Sequence, residues 1–190
     1  MARYVRKYGY YDLFLIHPEG DVFYTVKHEA DYGTNMLNGK YADSGLGRLV
    51  RKILPSGLLI FEPYPPSDGN PSAFIALPVV HNGDVQLVVA LQLSLDAINE
   101  VMQERFGMGK TGETYVVGSD KLLHSDSFLD PENYSVTASF ANPEKGRIDT
   151  LASREALGKK TGRQLHWQDS TFNLYAVESV GYDVCADRRD

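Results

Sequence analysis

The chain has 190 residues, enough for one large domain or two small ones, and its 12 Tyr and 8 Phe supply aromatic bulk for two modest cores. A formal charge of −6, with no basic run and no Gly-rich RNA-binding motif, speaks against a nucleic-acid partner. A single cysteine, Cys185, excludes an internal disulfide and any multi-cysteine zinc site.

The opening residues, MARYVRKYGYY, lack the apolar core of a signal peptide. No run along the chain reaches the roughly 18–20 apolar residues needed to cross a bilayer. Residues 1–9 read as a frayed start or as the end of an earlier element. Tyr10–Val26 (YYDLFLIHPEGDVFYTV) is two aromatic and β-branched runs joined by His17-Pro18-Glu19-Gly20-Asp21, which predicts a β-hairpin. Lys27–Gly47 has no sustained periodicity and is rich in Gly, Asn and Asp, so it reads as a long irregular loop of the kind that often carries function. Leu46, Leu49, Val50 and Ile53 have helical spacing, with Ser44 as cap and Pro55 as stop. Leu58–Phe61 reads as a short strand running into the rigid turn region Glu62–Gly69.

Ala73–Val80 and Val85–Leu93 read as a further hairpin over Asn82-Gly83, with Pro78 expected at an edge or bulge. Leu95, Ile98, Val101, Met102 and Phe106 mark one face of a connecting helix, capped by Ser94 or Asp96 and ended by Gly107 and Gly109. Glu113–Ser127 (ETYVVGSDKLLHSDS) echoes the first hairpin, with a turn at Gly118-Ser119-Asp120. Phe128–Arg147 reads as a polar loop, Asp149–Leu157 as a short helix ending at Gly158, and Gln164–Gln168 and Thr171–Val180 as strands. The sum is an α+β pattern: two units in tandem, each an antiparallel sheet with flanking helices, joined by a helix.

That order, with the segments Gly9–Val26, Asp31–Leu37, Pro63–Phe74, Gln92–Arg105 and Gly109–Ser127, resembles the double Cache sensor domains of bacterial receptors. The resemblance implies two PAS-like (Cache) units: a membrane-distal one over residues 8–106, including the connecting helix, and a membrane-proximal one over 107–184. It also implies an extracytoplasmic sensor of a methyl-accepting chemotaxis protein, histidine kinase or cyclase, sited at the inner membrane. The fragment would be non-enzymatic, reached by a small-molecule ligand, and a monomer or weak homodimer. Family members have a long helix before the first hairpin and transmembrane helices on both sides. This chain starts almost at the hairpin, so it is expected to be an excised piece. Gly181–Asp190, with Cys185, is polar where the family has a closing apolar strand, and reads as a tail.

The candidate ligand-binding residues are Asp31, Tyr32, Tyr41, Asp43, Glu62, Tyr64 and Gln92. Carboxylates and Tyr hydroxyls suit an ammonium or hydroxyl ligand, with aromatic rings shutting out water. The plainer alternative makes the tyrosines half-buried loop anchors and the acids solvated turn residues. Members that bind amino acids carry an Arg-x-Trp-Tyr signature in this loop and an Asp on the last distal strand. Here the signature is missing and Gln92 holds the strand position, which disfavours an α-amino-acid ligand.

The five histidines (His17, His28, His81, His124, His166) form no HExxH or other close pair, so no metal is expected. No catalytic residue and no cofactor are expected either: Gly-x-Ser-x-Gly is absent, and Gly107–Gly112 follows a helix where a phosphate loop follows a strand. Three alternatives stay open on sequence: an intracellular PAS-like module holding haem or flavin, a small hydrolase using the loop carboxylates, and a ligand-free spacer.

Overall fold

A computed structural model of the protein describes residues 1–52, 58–110, 112–158, 162–166, 171–177 and 183–189. The chain divides into two compact units, Met1–Ala97 and Ile98–Asp190. Each holds one antiparallel sheet flanked by short helices, an α+β arrangement.

The first unit opens with helix α1 (Ala2–Tyr8), closed by Gly9 in the left-handed conformation (φ 71°). Strands β1 (Tyr10–Ile16) and β2 (Val22–Thr25) form the expected hairpin, with a register shift at Leu15/Ile16. Helix α2 (Gly45–Lys52) follows the loop, and Ser44 Oγ accepts the Gly47 N–H at 3.2 Å as its cap. Pro55, the predicted helix stop, lies outside the described residues. Strand β3 (Leu58–Pro63) runs two residues further than predicted and leads to a 3-10 turn at Pro65–Ser67. Strands β4 (Pro71–His81) and β5 (Asp84–Leu93) complete a sheet of order β2-β1-β5-β4-β3.

The turn between β4 and β5 is built as its residues demand. Asn82 (φ 52°) and Gly83 (φ 91°) are both left-handed, the conformation of a two-residue hairpin turn. Pro78 pairs with Val88 next to a bulge at Val79/Val80, and the described part of β3 ends opposite Ala76. Among the described residues no strand therefore pairs with Pro78 on the β3 side.

Strand alternation sets the core face. Phe14 and Ile16 of β1, Phe74 and Ala76 of β4, and Val88 and Ala90 of β5 point to one side and are buried. There they meet Leu46, Leu49 and Val50 of α2 together with Met36, Tyr41 and Tyr64. Asp12 and Gln92 share this face by the same period, are themselves buried, and sit opposite each other in the β1–β5 register.

The second unit departs from the prediction more often. The boundary falls within helix α3 (Leu95–Met102), four residues shorter than its predicted face, and the predicted packing residues Val101 and Phe106 are exposed. Strand β6 (Gly112–Val117) and the turn at Gly118-Ser119-Asp120 form as expected, but the return is only a Val117–Leu123 bridge, flanked by bonds from Gly118 N to Leu122 O and from His124 N to Val116 O. Beyond it Ser125 Oγ takes the Val116 N–H at 2.8 Å in place of a second strand. The stretch expected as a polar loop contains helix α4 (Val136–Ala141), whose Ser135 cap accepts the Ala138 N–H. Helix α5 (Leu151–Leu157) starts at a reciprocal pair: Thr150 Oγ1 accepts from Ser153 N, and Ser153 Oγ from Thr150 N. The two expected strands are β7 (Gly162–His166) and β8 (Thr171–Val177), which pair with each other; positions 167–168 and 178–180 of the predicted runs lie outside the described residues. The predicted tail is strand β9 (Asp183–Arg189), which lies between β6 and β8 and places Cys185 opposite Tyr115 and Tyr175. The second sheet therefore extends past residue 184.

Candidate functional site

The core face of the first sheet turns polar at one end, where Asp12 and Gln92 replace apolar neighbours. Asp12 Oδ1 accepts the N–H groups of Leu13 (2.6 Å), Val26 (2.8 Å) and Lys27 (3.1 Å), fixing the start of the long loop as it leaves β2. Thr25 Oγ1 takes the His28 N–H at 2.8 Å. Farther on the loop returns along β2: Val22 N donates to Thr34 O and Gly33 N to Val22 O. Asn35 Nδ2 ties it to Glu19 O and Asp21 Oδ1, each at 2.9 Å. Gly20 (φ 99°) is required here, since a Cβ would meet Asn35 Oδ1 at 2.6 Å.

These anchors hold Glu29 and Asp31 over the polar end of the sheet. The Tyr64 hydroxyl, buried at the entrance to the 3-10 turn, donates to Asp31 Oδ2 at 2.7 Å, and its ring packs edge-on against Phe74. The Tyr11 hydroxyl donates to Glu29 Oε1 at 2.5 Å and the Ser67 hydroxyl to Glu29 Oε2 at 2.8 Å. Gln92 Nε2 donates in turn to Ser67 Oγ (3.1 Å) and Ser72 Oγ (2.9 Å).

Three carboxylates thus face one another in a largely buried space, and among the described residues no salt bridge reaches any of them. Burial raises the Asp31 pKa, and the charges of Asp12 and Glu29 raise it further. Asp12 is raised chiefly by burial, against the pull of its three backbone donors. Tyr11 is pushed up to about 12, first by its hydrogen bond to Glu29, then by burial and the Glu29 charge. Tyr64 is raised by burial and by the neighbouring Asp31 charge.

Three acceptor atoms in this cluster are buried with no hydrogen-bond donor: Asp12 Oδ2, Asp31 Oδ1 and Gln92 Oε1. A buried acceptor without a donor costs on the order of 1–3 kcal/mol. The arrangement leaves buried acceptors and negative charge unmatched, which a cation or a multi-donor group would complete.

Of the residues singled out from sequence, the structure brings Asp31, Tyr64 and Gln92 together here. Tyr41 is buried in the apolar core. Tyr32 is 48% exposed, with its ring edge-on to His28. Asp43 is exposed and pairs with Arg51 at 3.4 Å, and the half-exposed Glu62 is engaged by Arg48 of α2. Asp12 and Glu29 escaped the sequence reading. The signal for Asp12 was its place within an apolar strand, two residues before the core residue Phe14.

The first turn also gathers His17, Glu19 and Asp21, each offering one atom within 4.8 Å of the others. All three are exposed, and His17 Nδ1 and Asp21 Oδ1 already accept hydrogen bonds from Glu19 N and Asn35 Nδ2.

No protein-family model matches the chain, and no curated protein matches it in sequence. Solved structures match it in fold. The extracellular domain of a putative histidine kinase, rpHK1S-Z16, superposes with TM-score 0.68 at 13% identity, over 100% of this chain and 75% of that one. The ligand-binding domain of the Pseudomonas fluorescens chemoreceptor CtaA, in complex with L-leucine, gives 0.58 at 13%, over 97% and 72%. An extracellular ligand binding receptor from Desulfohalobium retbaense gives 0.62 at 13%, over 95% of this chain but only 30% of that receptor. The chain therefore has the fold of the extracellular sensor domains of histidine kinases and chemoreceptors, as its segment order had suggested.

Proposed function

We propose that the chain is the extracytoplasmic ligand-sensing part of a bacterial transmembrane receptor, a chemoreceptor or a histidine kinase, built of two PAS-like (Cache) units. The first unit, membrane-distal in this reading, binds a small solute; the chain works by binding and not by turnover. The solute biases an output module elsewhere in the receptor through its different affinity for two conformations. The shared fold supports the sensor role.

One observation carries the choice of site and ligand: three buried acceptors without donors, set among three carboxylates that no described cation neutralises. A protonated amine has the charge and the several N–H donors that this space lacks. CtaA's domain holds L-leucine, whose carboxylate needs a cation of its own. Among the described residues no Lys or Arg pairs with this cluster, which together with the missing Arg-x-Trp-Tyr signature favours an amine without a carboxylate.

A thermal-shift panel of amines, amino acids, carboxylates and sugars tests the reading. An amine at about 100 times its dissociation constant adds roughly 2.7 kcal/mol of stability. Asp31→Asn should abolish the shift. A panel in which no amine stabilises the protein, or in which the shift survives Asp31→Asn, overturns the assignment.

A further inference from the structure

The second unit contains a cavity of about 340 Å³, within the size range of small-ligand pockets. None of the residues singled out from sequence lines it. Its lining includes the buried Tyr115 and Leu123, the half-buried Ile148, and the exposed Leu129, Tyr134 and Arg147.

The charges around it are unevenly engaged. Glu113 Oε2 accepts from the Ser127 hydroxyl (2.6 Å) and from the N–H groups of Phe128 (2.9 Å) and Leu129 (3.1 Å). Asp130 accepts from Asn133 N and Nδ2. Asp149 pairs with Lys121 at 2.9 Å and with Arg154 at 3.9 Å. Each acid on the wall is therefore engaged locally, Glu113 and Asp130 by neutral donors and Asp149 by the cations Lys121 and Arg154. Arg147 is the exception: among the described residues its guanidinium makes no hydrogen bond and no ion pair, and it acts on Asp149 only at longer range.

We infer that this cavity is a second ligand site, for a small monocarboxylate with an apolar body, held at its carboxylate by Arg147. A guanidinium offers a carboxylate two parallel N–H donors, and Tyr134 lines the same cavity. The aliphatic or aromatic body would lie on Leu123, Leu129 and Ile148. An amine or an uncharged alcohol would leave Arg147 unmatched, and an amine would compete with the donors that already hold Glu113, Asp130 and Asp149. The site is distinct from the amine site of the first unit and needs none of its residues.

The test is calorimetric titration of the 190-residue chain with hexanoate and phenylacetate, alongside hexylamine and hexanol. Saturable binding of at least one carboxylate, weakened about tenfold to a hundredfold by Arg147→Gln, is the expected result. Arg147→Lys should retain part of it, and Asp31→Asn should leave it unchanged. Arg147 is exposed and, among the described residues, without a hydrogen-bond or ion-pair partner, so its variants should fold, which a melting curve checks. Absence of saturable carboxylate binding, equal affinity in Arg147→Gln, or preference for hexylamine over hexanoate each overturns the proposal.

Discussion

The Tyr64 hydroxyl donates to Asp31 Oδ2 across 2.7 Å, while Oδ1 of the same carboxylate is buried without a donor. Tyr64 is therefore the one side chain that hydrogen-bonds the Asp31 carboxylate among the described residues. Tyr64→Phe keeps the ring against Phe74 and removes only that donor. The variant should lose about 1–3 kcal/mol of stability at pH 7 in urea unfolding. A loss below about 0.5 kcal/mol would mean that water already serves the carboxylate.

The raised Asp12 and Asp31 pKa values give stability a particular pH dependence. Both carboxyls hold their protons more tightly folded than unfolded, where the ordinary value is 3.8. Their contribution is therefore fully present below that value and is lost as pH rises through the folded pKa. Asp31→Asn should raise the melting temperature at pH 7, flatten this part of the pH profile, and abolish amine binding. The variant then separates the two roles: more stable, and blind. An unchanged slope between pH 4 and the folded pKa would show that Asp31 is not buried as a charge.

Much of the first unit was legible in its residues, because strand and turn chemistry are local. The Asn82-Gly83 turn, the β1–β2 hairpin and the face of α2 follow from period and turn type alone. The loop site was legible only in part. Within an aperiodic loop nothing in sequence tells whether Asp31 or Tyr32 turns inward; hydrogen bonds at Asp12, Thr25 and Asn35 decide it. Asp12 could have been found, since period 2 places it on the face of Phe14 and Ile16. In the second unit the failure was a long-range one. Strand β6 echoes a hairpin strand, yet its partner β9 comes from residues about seventy positions later whose polar composition hid their central place.

Asp12 is a hinge of the architecture as well as of the charge balance. Asp12→Ala strands three N–H groups, at Leu13, Val26 and Lys27, and should cost on the order of 3 kcal/mol while loosening the loop. Asp12→Asn keeps an acceptor for them and removes the buried charge, so its cost should be smaller. Amide hydrogen exchange at Val26 and Lys27 reads the difference directly: faster in the Ala variant, little changed in the Asn variant. Equal protection in both would show that the loop is held by Thr25 and Asn35 without help from Asp12.

Glu113 performs for the second unit what Asp12 does for the first. It is 5% exposed on β6, and its Oε2 gathers the Ser127 hydroxyl and the Phe128 and Leu129 N–H groups as the chain leaves the strand. A carboxylate with three donors is satisfied, and a charged acceptor makes each bond stronger than a neutral one would. Glu113→Gln should therefore cost about 1–3 kcal/mol, by replacing charge-assisted bonds with neutral ones. Glu113→Ala should cost more and should expose the Phe128 and Leu129 amides to exchange. Because the chain folds as two compact units, the loss should fall on the transition of the second unit in a melt, leaving first-unit exchange unchanged. A uniform loss of protection across both units would show instead that they unfold as one.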